Sequence, residues 1–183
     1  VQAASDGQLD LSEAFNLVDQ GLLLQKLKAF GLDDDILCWV ESYLTDRHKA
    51  VWIDHALSYF LACTVGVPQG SNLGPLFFLI FYNDLPYFLN CESDAYADDT
   101  TITVAGDTNE EISDKMTANC ELVTSWMLSN RLKSNAGKTH LMTVGTSARL
   151  RSQESPVVVT MDGCVLEESE DKVETLLGVQ IET

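Results

Sequence analysis

Ala95-Tyr96-Ala97-Asp98-Asp99-Thr100 sets two adjacent carboxylates among strand-forming residues, with Tyr96 before them and Thr100-Thr101-Ile102-Thr103-Val104 after. Two short strands joined at the acids make a tight hairpin, because Asp tolerates turn geometry and keeps its carboxylate near water. Taken alone, the pair reads first as an ordinary Asp-rich turn. A tip with two acids can also hold a cation, and the rest of the chain decides between these readings.

The 183 residues are enough for one well-buried domain, with room for two but no need of a second. With 45% hydrophobic and 21% charged residues the composition is globular. Eleven Lys and Arg against 28 Asp and Glu leave a formal charge of -17, which repels polyanions. Cys38, Cys63, Cys91, Cys120 and Cys164 are widely spaced, odd in number and without a Cys-x-x-Cys pair. That spacing argues against a zinc ribbon or a disulfide framework and for reduced, mostly buried thiols. The most apolar run, Leu76 to Tyr82, is seven residues, well short of the roughly 20 that cross a bilayer. The expectation is a protein without a membrane segment, not secreted, and cut at both ends from something longer.

Along the chain, Gly7 to Leu11 alternates briefly, so Asp10 falls where a strand runs out. Leu17, Val18, Leu22, Leu23, Leu27 and Phe30 then recur at helical spacing until Gly31. Asp33-Asp34-Asp35 suits the start of a second helix, whose Trp39 and Tyr43 are read as core. Lys49 to Asp54 and Leu57 to Thr64 predict strands around a turn near His55 and Ala56. Gly66-Val67-Pro68-Gln69-Gly70-Ser71-Asn72-Leu73-Gly74-Pro75 predicts an irregular loop, with Ser71 capping the apolar helix behind it and Pro86 ending or bending that helix. Thr108-Asn109-Glu110-Glu111 fits a capping box before a long helix with Ile112, Met116, Cys120, Val123 and Met127 on one face. Leu141 to Val144 reads as a strand, Val157 to Met161 and Val165 to Leu166 as a hairpin about Asp162-Gly163, and Val173 to Ile181 as a last strand. Thr146 to Ser155 reads as a polar loop. Strands, hairpins and helices in this order predict an α+β fold.

Five of these stretches stand in an order that resembles the successive palm motifs of reverse transcriptases, in particular those of LINE-type, non-long-terminal-repeat retrotransposons. They are Leu9 to Phe15, Gly66 to Pro75, Tyr96-Ala97-Asp98-Asp99, Asn135-Ala136-Gly137-Lys138-Thr139 and Leu176-Leu177-Gly178-Val179. Ser42 to Arg47 and Tyr82 to Pro86 resemble the spacers of that family. The resemblance implies a palm-like antiparallel sheet packed on helices over residues 1–183, a partial domain with fingers and thumb largely missing. It implies RNA-directed DNA synthesis by two-metal-ion nucleotidyl transfer, with RNA template, DNA primer and deoxynucleotides as partners of a longer intracellular protein, in nucleus or cytoplasm.

Two Mg²⁺ ions are expected, because phosphoryl transfer is mainly positioning and charge neutralisation and hard ions want oxygen ligands. By resemblance, Asp10, Asp98, Asp99 and the carbonyl of Leu11 supply those oxygens. Phe15 matches an aromatic gate that favours deoxynucleotides, Gln69 and Gly70 match the segment against template and incoming base, and Lys138 matches the lysine that assists the leaving pyrophosphate. Glu13, Asn16 and Gln20 depart from the family's usual Lys, Asp and His. The acidity implies weak or no nucleic-acid binding by these residues alone. It also keeps open a second reading, a decayed or domesticated palm that at most binds a partner. A palm of the group II intron type is a third reading. Apolar surface left bare where fingers and thumb pack would make the 183 residues self-associate.

Overall fold

The computed structural model describes residues 3–9, 14–96, 99–134, 139–146, 148, 155–166, 173–176 and 179–182. In chain order these form β1 (Ala3–Leu9), α1 (Ala14–Leu17), α2 (Gln20–Ala29), α3 (Asp34–Leu44), β2 (His48–Lys49), β3 (Trp52–Ile53), β4 (Ala56–Leu57) and β5 (Leu61–Ala62). There follow α4 (Leu73–Tyr82), a 3-10 turn (Leu85–Phe88), β6 (Glu92–Tyr96), β7 (Asp99–Gly106) and α5 (Asn109–Ser129). Last come β8 (His140–Val144), β9 (Val159–Met161), β10 (Cys164–Leu166), β11 (Val173–Leu176) and β12 (Val179–Glu182). The fold is mixed α+β with small antiparallel sheets, as the sequence predicts. It divides into two compact units, one of Val1–Ser12, Leu85–Ser129 and Lys133–Thr183, the other of Glu13–Asp84 and Asn130–Leu132.

The first unit is built on a four-stranded antiparallel sheet in the order β6-β7-β1-β8. Along β7 the side chains of Thr100, Ile102 and Val104 are buried while those between them are more exposed, the alternation of a sheet covered on one face. Helix α5 packs on β7, β1 and β9. Its stripe of Ile112, Met116, Cys120, Val123 and Met127 is buried as expected, together with Trp126. The start of α5 is a variant of the expected capping box: Thr108 Oγ1 accepts from the Glu111 N–H at 3.2 Å, but the Glu111 carboxylate reaches the N–H of Asp107, at 2.8 Å. The Lys115 bond first, then that N–H, holds the Glu111 carboxyl below its ordinary value. The β9–β10 hairpin turns at Asp162-Gly163, as its sequence predicts.

The second unit is helical with two small ladders. α2 packs on α3 and α4, and its core is Leu23, Leu27, Val40, Leu44, Phe77, Phe78 and Phe81. Asp33 caps α3 through the Ile36 N–H at 2.9 Å, as the triple-Asp start predicts. Ser71 Oγ accepts from the Gly74 N–H at 2.9 Å and so caps the first turn of α4. β2 pairs with β5, and β3 with β4 around Asp54-His55, both in the left-handed region with φ 43° and 69°. That is the twist a two-residue hairpin requires.

Five expectations change. The two strands expected over Lys49 to Asp54 and Leu57 to Thr64 are four short ones, β2 to β5, in two separate ladders, and the turn falls at Asp54-His55 because those two residues take the left-handed backbone. The single helix to Phe30 is two helices, α1 and α2, because the Asp19 side chain accepts from the Leu22 N–H and starts a new helix there. Trp39 is exposed rather than core, stacked on Tyr43 at 5.7 Å, because α3 buries only the stripe through Val40 and Leu44. The single last strand is two, β11 and β12, which pair antiparallel with Leu176 opposite Val179. Of the five thiols only Cys120 is buried, and Cys38 and Cys164 are exposed. Burial pushes Cys120 up to about 12 and Cys91 up to about 11, which makes both poor nucleophiles. Most of the Thr146 to Ser155 stretch lies outside the described residues.

Candidate active site

Three chain segments meet at one end of the four-stranded sheet. β1 stops at Leu9, opposite Thr100, and β6 stops at Tyr96, opposite Asp99, so the β6–β7 turn stands beside the end of β1. β8 begins at His140, one residue after Thr139, with Gln8 opposite it. The chain therefore enters β8 at the end where β1 leaves the sheet. Asp99 is exposed at the start of β7, on the face opposite Thr100 and Ile102. Asp10, Leu11, Asp98 and Lys138 lie outside the described residues. What the strands fix is register: the three expected acids belong to segments that border one sheet end. Carboxylate and carbonyl oxygens suit a hard divalent ion such as Mg²⁺. Among the described residues no group of three or more His, Cys, Asp and Glu is placed to hold a metal.

In the second unit the structure brings Phe15 and Gln69 together. The Phe15 carbonyl accepts from the Val67 N–H at 2.9 Å and the Val18 carbonyl from the Gly66 N–H at 2.7 Å, so the glycine-rich loop is zipped to the end of α1. Gly66 is required there: its φ is 85°, and a Cβ would come within 2.8 Å of the Asn16 carbonyl oxygen. The Phe15 ring, half-buried, stacks on Phe78 with centroids 4.4 Å apart. Gln69 Nε2 donates to Asn16 Oδ1 at 3.1 Å, which orients the Gln69 amide. Gly70, at φ 78°, has open space where a Cβ would sit.

Three polar residues hold this region and carried no role in the sequence. Asn16 is the partner of Gln69. Gln20 Nε2 donates to the carbonyls of Gly66 at 3.1 Å and of Leu44 at 3.4 Å, tying the loop to α3. Asp19 caps α2 and pairs with Arg131. Burial pushes the Asp19 carboxyl up, but the Leu22 N–H and the Arg131 guanidinium together outweigh it and hold the group below its usual value. An Asp just ahead of Leu22 and Leu23 was the one signal available for the cap.

The family model described as "Reverse transcriptase (RNA-dependent DNA polymerase)" matches residues 7–181. The chain is 30% identical over 145 residues to the probable RNA-directed DNA polymerase from transposon BS of Drosophila melanogaster, covering 72% of this chain and 15% of that protein. It is 28% identical over 149 residues to the RNA-directed DNA polymerase from mobile element jockey of Drosophila funebris, covering 77% of this chain and 16% of that one. The chain spans about a sixth of the length of these curated relatives. Its structure resembles apo telomerase from Candida tropicalis truncated from the C-terminal domain, with a TM-score of 0.67 and 13% identity over 100% of this chain and 34% of that one. At that identity the likeness is one of fold.

Proposed function

Because the chain belongs to the reverse transcriptase family, with relatives among non-long-terminal-repeat retrotransposon polymerases, we propose that residues 1–183 are its palm portion. In this reading a longer intracellular protein extends a DNA primer on an RNA template with deoxynucleotides. The observation that carries the reading is the convergence of three segments at one sheet end: the exit of β1 before Asp10, the end of β6 and the start of β7 at Asp99 on either side of Asp98, and the entry to β8 after Lys138.

Asp10, Asp98, Asp99 and the Leu11 carbonyl are the groups that would hold two Mg²⁺ ions. Bound there, the ions would lower the pKa of the primer hydroxyl and offset charge on the triphosphate. Phe15, its ring held against Phe78, crowds the sugar 2′ position and favours deoxynucleotides. Gln69, its amide held by Asn16, and Gly70 face the template and incoming base. Lys138 donates to the leaving pyrophosphate.

Calorimetric titration of Mg²⁺ at low salt into the wild type and into Asp10→Asn, Asp98→Asn tests the centre of this reading. Binding lost in the double variant is the expected result, and equal binding overturns it. One observation favours a second reading, a domesticated palm without catalysis: the charge of -17 opposes the phosphate contacts on which nucleic-acid binding rests. Primer extension on an RNA template, with the chain set in its full-length protein, separates the two.

A further inference from the structure

The second unit contains a small cavity of about 70 Å³, lined by residues that include Gln20, Arg47, His48, Lys49 and Cys63. We propose that it is an anion site for one phosphate group. Its volume is far below the roughly 300 Å³ of a pocket that encloses a whole small-molecule ligand. That leaves room for a single tetrahedral group rather than a nucleotide.

Charge is the first argument. The chain carries 28 carboxylates, and Lys26, Lys28, Lys115 and Arg131 each pair with one. Among the described residues, Arg47 and Lys49 have no carboxylate within ion-pair distance, although Asp46 and Glu41 are near in sequence. Two cations left unpaired on one cavity, in so acidic a protein, are a local reversal of sign.

Preorganisation is the second. Arg47 Nε donates to the Tyr43 carbonyl at 2.8 Å and its guanidinium lies 4.8 Å from the Tyr43 ring centre. The group is thus oriented through one nitrogen, and its terminal nitrogens keep the fork that matches a phosphate. The Cys63 N–H donates to the Arg47 carbonyl at 2.7 Å and fixes the backbone beneath it.

The C-terminal end of α3 is an objection, since its carbonyls repel an anion. Three of the last four carbonyls, those of Glu41, Tyr43 and Leu44, already accept hydrogen bonds. Glu41 accepts from the N–H and Oγ1 of Thr45, Tyr43 from Arg47, and Leu44 from Gln20. These donors offset part of the negative end of the helix.

The site does not depend on the metal-binding reading, and its test uses no Mg²⁺. Inorganic phosphate is titrated into the whole chain and followed by phosphorus NMR, and a six-nucleotide oligothymidylate without terminal phosphates is titrated by fluorescence anisotropy. Wild type should bind phosphate, and Arg47→Gln, Lys49→Gln should weaken it at least tenfold. Lys28→Gln, Lys133→Gln, which removes the same charge elsewhere, should leave it unchanged. Loss of oligonucleotide binding in the first variant alone identifies a nucleic-acid backbone as the source of the phosphate. Phosphate binding without oligonucleotide binding identifies the free ion. No phosphate binding, or equal loss in both double variants, overturns the proposal. Unchanged circular dichroism shows that each variant is folded.

Discussion

Two hairpins in this protein span the same two residues between paired strand ends and differ in almost everything that makes a hairpin stable. In β6–β7 the pair Tyr96 and Asp99 closes on two residues, and in β3–β4 the pair Ile53 and Ala56 closes on Asp54-His55. The first belongs to a four-stranded sheet, and β7 lies under α5 with Ile102 fully buried. The second is a two-residue ladder whose Trp52 is 65% exposed, near a β5 strand whose Leu61 is 72% exposed. Burial stabilises only one, because a two-stranded ribbon alone is marginal in water and a covered sheet face is not.

The largest effect should come from the covered hairpin. Ile102→Ala leaves a cavity under α5 and should cost about 2–5 kcal/mol in urea unfolding followed by circular dichroism; a cost near zero would erase the contrast.

Next is Asp19→Ala in the second unit, which removes the cap of α2 and the partner of Arg131. The expected loss at neutral pH is about 1–2 kcal/mol. The folded carboxyl lies below its ordinary 3.8, so its contribution is complete above that value and is lost as pH falls through the lower folded value. Wild type and variant should therefore converge in acid, and a gap in melting temperature that persists there would remove the ion pair from the account.

Thr108→Ala should cost about 1 kcal/mol by loss of the α5 cap, measurable as a lower denaturation midpoint. Trp52→Ser should change stability by less than about 0.5 kcal/mol. It should instead reduce self-association in sedimentation velocity, since Val51, Trp52, Ile53, Leu57, Tyr59 and Phe60 form an exposed apolar group. A monodisperse wild type would show that this surface needs no cover.

Lys26 shows how far the second unit depends on polar ties. Its ammonium donates to the Phe81 carbonyl at 2.6 Å and to Asp84 at 2.8 Å. Burial nevertheless outweighs the Asp84 charge and leaves its pKa below the usual value. No periodicity in the sequence announces such a bond, because Lys26 and Asp84 are brought together by the packing of α2 on α4.

The sequence by itself determined what depends on neighbours within a few residues. The Asp33 cap, the buried stripe of α5, the Asp162-Gly163 turn and the order of the five family stretches were all legible, since each is a local pattern of polarity or turn chemistry. Tertiary structure alone decided the rest. β1 reads Ala3-Ala4-Ser5-Asp6-Gly7-Gln8-Leu9, with almost no apolar alternation, yet it is one of the two strands paired on both sides, with Gly7 in register between Ile102 and Leu141. Its place is set by the strands beside it, whose hydrogen bonds it satisfies. The same holds for the candidate site, since the register that aligns Leu9, Thr100 and His140 at one sheet end is a long-range fact that no single stretch encodes.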